Sequence, residues 1–185
     1  MTTNPGPPPG DLSPGPEPPA ALTPFHAVFD HAAVAARRIR DLLPIYHDLL
    51  GGSFLDGGDN PRVGYRAIQL QFGDNSRIEL MEPLSGSTFL DSFFATRGAG
   101  GLHHVTFKVD DIEAAVATAR RQGMTLTGLY LDDPYWREVF IHPRAAHGTL
   151  VQIAQANGPY PMPAGVTLDV VLAGNGQRGN GEPSP

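Results

Sequence analysis

The chain has 185 residues, of which 41% are hydrophobic and 17% charged, a composition typical of a soluble folded protein. Its formal net charge of −6 argues against a scaffold that binds nucleic acid by displacing counterions. Because it contains no cysteine, it forms neither disulfides nor thiolate metal sites, so any bound metal must be held by nitrogen and oxygen.

Residues 1–24 contain nine of the nineteen prolines and few apolar side chains. Such a segment buries too little surface to offset the entropy of ordering, which predicts a disordered arm. The sequence shows neither a basic start followed by an apolar run nor a stretch of about 20 apolar residues. We therefore expect a cytoplasmic protein that acts on a small molecule, with no membrane or nucleic-acid partner.

The first folded unit is predicted over residues 25–100 and begins with a strand signal at 25–35. Apolar residues then recur at three- and four-residue spacing over 39–50, which predicts an amphipathic helix with Pro44 in its first turn or at a kink. A turn is predicted over 56–61, and a connecting helix over 88–97. The unit also carries three further predicted strands, at 53–55, 65–72 and 77–81.

The second unit, predicted over residues 101–157, repeats this order after a glycine-rich link. A strand at 104–109 leads into a helix at 112–122, and three strands follow, at 125–130, 137–142 and 149–155. Each unit is therefore one strand, one helix and three strands. The segment 158–185 is rich in proline and glycine, which predicts a mostly flexible tail, and its apolar part 166–173 is compatible with an edge strand or a contact with a second subunit.

Two pairs of polar residues repeat at a common interval. His31 and His104 are 73 residues apart, and so are Glu79 and Gln152. Taken singly, each residue fits an ordinary solvated strand face, but the equal intervals predict that all four meet in one cavity if the units pack with pseudo-twofold symmetry. Two imidazoles, a carboxylate and an amide oxygen would form an octahedral site for a divalent ion, namely Mn, Fe, Co, Ni or Zn.

Several motifs resemble a known family: Gly-Leu-His-His-Val-Thr-Phe-Lys-Val-Asp-Asp-Ile at 101–112, Ile-Glu-Leu-Met-Glu-Pro at 78–83, Phe-Ile-His-Pro at 140–143 and His-Gly-Thr-Leu-Val-Gln-Ile at 147–153. Over residues 27–156 the chain is similar to the vicinal oxygen chelate (glyoxalase, bleomycin resistance, dioxygenase) superfamily, and most similar to methylmalonyl-CoA epimerases. The resemblance implies an α+β fold in which two tandem βαβββ modules form a cup-shaped, partly open β-barrel. It also implies a homodimer and a divalent ion bound at His31, Glu79, His104 and Gln152.

The sequence departs from this family at the proton-transfer step. The family's fourth ligand is usually a glutamate that also acts as a base, whereas Gln152 can coordinate but cannot accept a proton at neutral pH. At the position of the family's other glutamate base stands Arg62. Glu138 and His142 are the candidate replacements, because alternation along their strand points both inward, although His142 before proline also fits a strand-end turn. His103 is predicted to face the helix side and to support His104.

We interpret the chain as a metal-dependent lyase, isomerase or epimerase. It would stabilise an enolate-like intermediate of a small oxygenated substrate, acyl-CoA thioesters included. Two alternatives remain open. The first is a non-haem Fe(II) dioxygenase, because two histidines and one carboxylate are also the ligands of such enzymes. The second is a small-molecule (drug) binding protein, in which the cup holds a ligand and catalyses no reaction.

Overall fold

The computed structural model describes residues 23–158 and 163–176. Eight strands are present in these residues: β1 (Ala27–Ala36), β2 (Ser53–Asn60), β3 (Tyr65–Gln71), β4 (Arg77–Pro83), β5 (Gly100–Val109), β6 (Leu126–Tyr130), β7 (Trp136–Ile141) and β8 (Leu150–Ala156). The α-helices are α1 (Asp91–Arg97), α2 (Ile112–Arg121) and α3 (Leu168–Leu172). Within the described ranges no helix is long and apolar enough to cross a membrane. The predicted arm lies outside them, except for residues 23 and 24.

The strands form one sheet in the order β2-β3-β4-β1-β5-β8-β7-β6. Each half repeats the same pairing, since β1 runs parallel to β4 and β5 runs parallel to β8. The antiparallel pair of β1 and β5 joins the two halves at the centre. The paired βαβββ fold is thereby confirmed, in the form of an open sheet whose outer strands β2 and β6 do not pair.

The two faces of the sheet are covered differently. On the outer face, Ile68, Leu70 and Leu80 pack with Val171 of α3, while α2 covers the second half through Ile112 and its neighbours. On the inner face, α1 covers only one end, where its side chains pack on β1, β3 and β4. The remainder of the inner face opens into a cavity.

The helix predicted over 39–50 is replaced by two shorter segments. A 3₁₀ turn spans Ile39–Asp41, and a π-helical segment spans Pro44–Leu49. Pro44 has no N–H to donate, so a continuous α-helix through this position would lose a hydrogen bond. The break therefore follows from the proline that the sequence analysis noted.

The turn predicted over 56–61 is wrong for most of its length. Strand β2 continues to Asn60, and its pairing with β3 runs as far as Asn60 opposite Tyr65. The glycines and acidic residues of this stretch favour turns locally, but backbone pairing with β3 overrides that preference.

The edge strand considered for 166–173 is a helix instead. Thr167 caps α3 by accepting a hydrogen bond from the N–H of Val170 at 3.3 Å. Val166, Leu168, Val171 and Leu172 recur at helical spacing and pack against the outer face of the first half. The helix thus directs this apolar stripe onto the sheet, with Val171 fully buried.

Candidate metal centre

A cavity of about 580 Å³ occupies the open part of the inner face. Both halves of the sheet contribute to its wall, because strands β2 to β4 line one side and β6 to β8 the other. At the mouth, the guanidinium carbon of Arg62 lies 3.8 Å from the ring centroid of Tyr130. This contact joins the β2–β3 hairpin to β6, so the two outer parts of the sheet approach each other beside the cavity.

His31, Glu79 and His104 meet in the wall of this cavity. Each offers a donor atom, and the three atoms lie within 4.8 Å of one another. The Nε2 atoms of both histidines are 3.7 Å from Oε2 of Glu79. All three residues are buried, and within the described part of the chain they are the one group of this kind.

A β-bulge places His31 on the cavity face. Phe29 pairs with Phe107 on the outer face, and the register shifts before His31 pairs with Thr106. Without the extra residue Asp30, Phe29 and His31 would share a face, because strand side chains alternate with a period of two. The bulge therefore separates an outward phenyl ring from an inward imidazole.

His104 fits a metal ligand because its Nε2 is buried without a hydrogen-bond partner among the described residues. A buried polar atom normally has a partner, and leaving it unpaired costs roughly 1–3 kcal/mol. Burial also lowers the pKa of His104 to about 3, so its imidazole is neutral and Nε2 keeps a free lone pair. Its other ring nitrogen, Nδ1, lies 2.8 Å from Nδ1 of His103.

His103 differs from its predicted position on the helix side. It lines the cavity, where its ring packs 5.0 Å from Phe93 of α1. Burial lowers the pKa of His103, which favours a neutral ring able to accept a hydrogen bond from Nδ1–H of His104. That contact orients His104 and directs its Nε2 towards Glu79, in keeping with the predicted supporting role.

His31 is held by Asp30, which is not among the predicted site residues. Oδ2 of Asp30 lies 2.7 Å from Nδ1 of His31, while Oδ1 contacts Arg77 and, at 2.8 Å, Lys108. Burial by itself would lower the pKa of His31, but Asp30 and Glu79 outweigh it and raise the pKa to about 9. Burial alone would raise the pKa of Asp30, yet its hydrogen bonds to His31 and Lys108 lower it to about 2.

Gln152 lies beside the three-residue group. Its Oε1 accepts a hydrogen bond from the Thr106 hydroxyl at 2.6 Å, and the same hydroxyl is 3.1 Å from Nε2 of His31. Its Nε2 donates to Oε2 of Glu138 at 2.6 Å. Thr106 was not predicted as a site residue, although it stands two residues beyond His104 and therefore shares its strand face. Gln152 thus links the histidine group to Glu138.

Of the two candidate bases, the structure brings Glu138 to the cavity and not His142. Glu138 Oε2 accepts hydrogen bonds from Gln152 and from the indole N–H of Trp136, and Oε1 lies 3.9 Å from Arg62. Burial raises the pKa of Glu138. His142 caps the 3₁₀ turn Pro143–Ala145, where its Nδ1 accepts from the N–H of Arg144, and it does not line the cavity. The strand-end turn accounts for His142.

Comparison with known proteins agrees with this architecture. The profile of the Glyoxalase/Bleomycin resistance protein/Dioxygenase superfamily matches residues 30–135. The mouse mitochondrial methylmalonyl-CoA epimerase is 30% identical over 129 residues, which cover 69% of this chain and 72% of that protein. An ethylmalonyl-CoA/methylmalonyl-CoA epimerase of Cereibacter sphaeroides is 29% identical over 131 residues, 68% of this chain and 96% of that one.

Among solved structures, the methylmalonyl-CoA epimerase of Mycobacterium tuberculosis superposes with a TM-score of 0.64 at 26% identity. The match covers 75% of this chain and 93% of that chain. Two βαβββ modules around a His/Glu/His group define a glyoxalase-like protein, and the chain belongs to the glyoxalase/bleomycin resistance protein/dioxygenase superfamily.

Proposed function

We propose that this protein is a metal-dependent epimerase or isomerase that moves the α-proton of an acyl-CoA thioester. The observation that carries the proposal is the buried group of His31, Glu79 and His104 in the wall of the cavity, where Nε2 of His104 has no hydrogen-bond partner among the described residues. The relatives named as acyl-CoA epimerases support the substrate class.

The donor set suits a divalent ion of the Mn, Fe, Co, Ni or Zn type, because imidazole nitrogen and carboxylate oxygen are ligands that these ions share. A bound ion would supply a Lewis acid for the negative charge that develops on the substrate's carbonyl oxygen. Gln152 is the proposed fourth ligand, since its Oε1 shares the Thr106 hydroxyl with His31. Asp30 and His103 orient the two imidazoles through their Nδ1 atoms.

Glu138 is the residue that we propose to exchange a proton with the substrate. Two donors, Gln152 and Trp136, fix its Oε2, so the carboxyl group holds one orientation. Its Oε1 lies 3.9 Å from the Arg62 guanidinium, and the residue lines the cavity wall. A carboxyl group that is fixed in one orientation in a cavity wall is suited to proton transfer.

We also propose the homodimer that the family resemblance implies. Phe29 and Phe107 lie side by side at the centre of the outer face, with ring centroids 5.8 Å apart. Phe29 is 54% exposed and Phe107 37% exposed, so this pair offers an apolar surface that a second chain would cover.

The test is to follow methylmalonyl-CoA in D₂O with the protein as purified, after chelation, and after addition of Co²⁺. We expect interconversion of the two epimers with uptake of deuterium at the α-carbon, lost on chelation and restored by the ion. Glu138→Gln should lower interconversion by at least about 100-fold, whereas the exposed control Asp74→Asn should not change it. Bound iron with oxygen uptake and no exchange would instead indicate a dioxygenase, and the absence of both metal binding and exchange would indicate a binding protein.

A further inference from the structure

Two cations of the cavity wall share one buried carboxylate. Oδ1 of Asp30 contacts the guanidinium group of Arg77 and lies 2.8 Å from Nζ of Lys108. The side chain of Asp30 is 2% exposed, whereas those of Arg77 and Lys108 are 27% and 28% exposed. All three residues line the cavity. The carboxylate therefore lies beneath the two cations, and the cations are the part of this cluster that a ligand can reach.

The charges of Arg77, Lys108 and Asp30 do not cancel. One carboxylate meets two cations, so one positive charge remains without a counter-charge in this contact. N–H donors also remain, because an ammonium group has three and a guanidinium group has five, and the shared Oδ1 atom takes only part of them. Cationic donors of this kind form their strongest hydrogen bonds with carboxylate and phosphate oxygens. The cluster is therefore suited to bind a second anion above Asp30.

Lys108 lies between the metal group and the residue that we propose for proton exchange. On one side, Asp30 separates its ammonium group from His31, with contacts of 2.8 Å and 2.7 Å. On the other side, Nζ of Lys108 is 5.4 Å from the ring centroid of Trp136, and the indole N–H of Trp136 donates to Glu138 at 3.0 Å. A group bound at Lys108 is therefore close to both parts of the candidate active site.

The register of the sheet fixes the separation of Lys108 and Glu138. Lys108 pairs with Ala154 on β8, and Ala154 pairs with Glu138 on β7. Residues that stand opposite each other on neighbouring strands share a face, so these three side chains form one row. Because neighbouring strands are about 4.8 Å apart, the backbones at Lys108 and Glu138 are separated by about 10 Å. Both side chains extend into this interval, which allows one small acyl group to contact both of them.

We propose that Lys108, together with Arg77, binds a free carboxylate on the acyl group of the substrate and that Lys108 thereby determines specificity. The identity of the thioester that carries this carboxylate rests on the proposed function, whereas the anion site follows from the cluster itself. Lys108 donates N–H hydrogen bonds to the bound carboxylate, and Asp30 holds the ammonium group in place. The contact involves no change of covalent bonds, and it favours acyl groups with a second carboxylate over those without one.

Calorimetric titration of the Co²⁺-loaded protein with malonyl-CoA and with acetyl-CoA compares two ligands that differ by one carboxylate. The wild type should bind malonyl-CoA at least about 10-fold more tightly, because hydrogen bonds between charged groups are strong in a cavity wall. Lys108→Met, which removes the charge, should reduce this preference to about 3-fold or less, and Lys108→Arg should restore most of it. The matched control is Arg137→Met, because Arg137 pairs with Glu113 and is not among the described residues that line the cavity. This control should keep the preference of the wild type.

A second measurement needs no variant, because Lys108 is the only lysine in the sequence. Acetic anhydride acetylates lysine amines, and peptide mass spectrometry reports the extent of acetylation at Lys108. At equal occupancy of the protein, malonyl-CoA should slow this acetylation more than acetyl-CoA does. Equal protection by the two ligands would overturn the inference even if Lys108→Met does not fold.

Several outcomes of the titrations would contradict this assignment. An unchanged preference for malonyl-CoA in Lys108→Met would overturn it, because another group, such as the bound ion, would then hold the carboxylate. Free malonate that binds as tightly as malonyl-CoA would overturn the assignment to a thioester. Deuterium uptake by methylmalonyl-CoA tests the proposed function separately. A preference that depends on Lys108 without deuterium uptake would overturn the proposed function alone, and uptake without such a preference would overturn the inference alone.

Discussion

His31 and His104 belong to the same group but carry different numbers of protons. His104 is buried with no acidic partner closer than 3.7 Å, and its pKa of about 3 keeps it neutral. His31 donates to Asp30 and faces Glu79, and its pKa of about 9 keeps it protonated at neutral pH. Metal ions bind the neutral imidazole, so only His31 must lose a proton when the site is loaded.

Loading the site at pH 7 should therefore release about one proton per chain. Because the pKa of His31 is raised to about 9 in the metal-free protein, this release should persist at lower pH and disappear as the pH rises above 9. Over the interval from pH 7 to 9 the affinity for the ion should increase about tenfold per pH unit. Titration calorimetry in two buffers that differ in ionisation enthalpy measures the proton count directly.

Asp30→Asn provides the control for this proton release. The amide cannot stabilise the charged imidazole as the carboxylate does, so the pKa of His31 should fall and fewer protons should be released at pH 7. A buffer-independent binding enthalpy for the wild type at pH 7 would contradict the assignment of a protonated His31.

The meeting of His31, Glu79 and His104 in one cavity could be predicted from the sequence because these candidate ligands obey a repeat. His31 and His104 are separated by the same interval as Glu79 and Gln152. Because the two halves of the sheet repeat the same strand order, residues at equivalent positions lie close together. Asp30 could not be predicted in the same way. Its place depends on a β-bulge, which no alternation pattern reveals.

At the scale of elements, most strands and α1 and α2 lie where periodicity predicted them. Two of the errors share one cause, which is that tertiary packing outweighs local preference, whereas the broken helix over 39–50 follows from Pro44. Strand β2 runs through residues that favour a turn, because β3 offers a complete row of backbone partners. The short helix α3 forms although its segment contains β-branched valines, which favour strands. It forms because the outer face of the first half is apolar and packs against the apolar side of the helix.

Helix α3 should contribute measurably to stability even though it lies far along the chain from the first half. Val171 is fully buried among Ile39, Ile68 and Leu80. Val171→Ala should lower the free energy of unfolding by about 2 kcal/mol, through lost burial and the remaining cavity. Urea unfolding measures this change, and the neighbouring half-buried Val170→Ala should cost less. Equal small losses in both variants would show that α3 does not pack as described.

At the scale of the whole molecule, the site depends on both halves of the sheet. His31 and Glu79 come from the first half and His104 from the second, and the antiparallel pair of β1 and β5 brings them together. The same two strands present Phe29 and Phe107 on the opposite face. The central pair is thus the shared support of the candidate metal group and the proposed dimer contact.

The protein should have twice the 19.7 kDa mass of a single chain in solution. Phe107→Glu should shift it to the monomer, because a charge at the centre of an apolar contact is costly to desolvate. Light scattering coupled to size exclusion reports the mass, and Leu129→Glu, an exposed apolar position on β6, serves as the control. A wild-type protein that is monomeric at high concentration would rule out this dimer.

The most direct measurement of the central claim is calorimetric titration of the metal-free protein with Co²⁺, for the wild type and for His104→Ala. The wild type should bind one ion per chain. The variant lacks the imidazole whose Nε2 has no hydrogen-bond partner within residues 23–158 and 163–176, and it should lose at least about 100-fold in affinity. The control is His47→Ala, at a surface histidine that contacts Asp48, and this variant should bind the ion like the wild type. Equal binding by wild type and His104→Ala, or no binding by either, would contradict a metal centre at His31, Glu79 and His104.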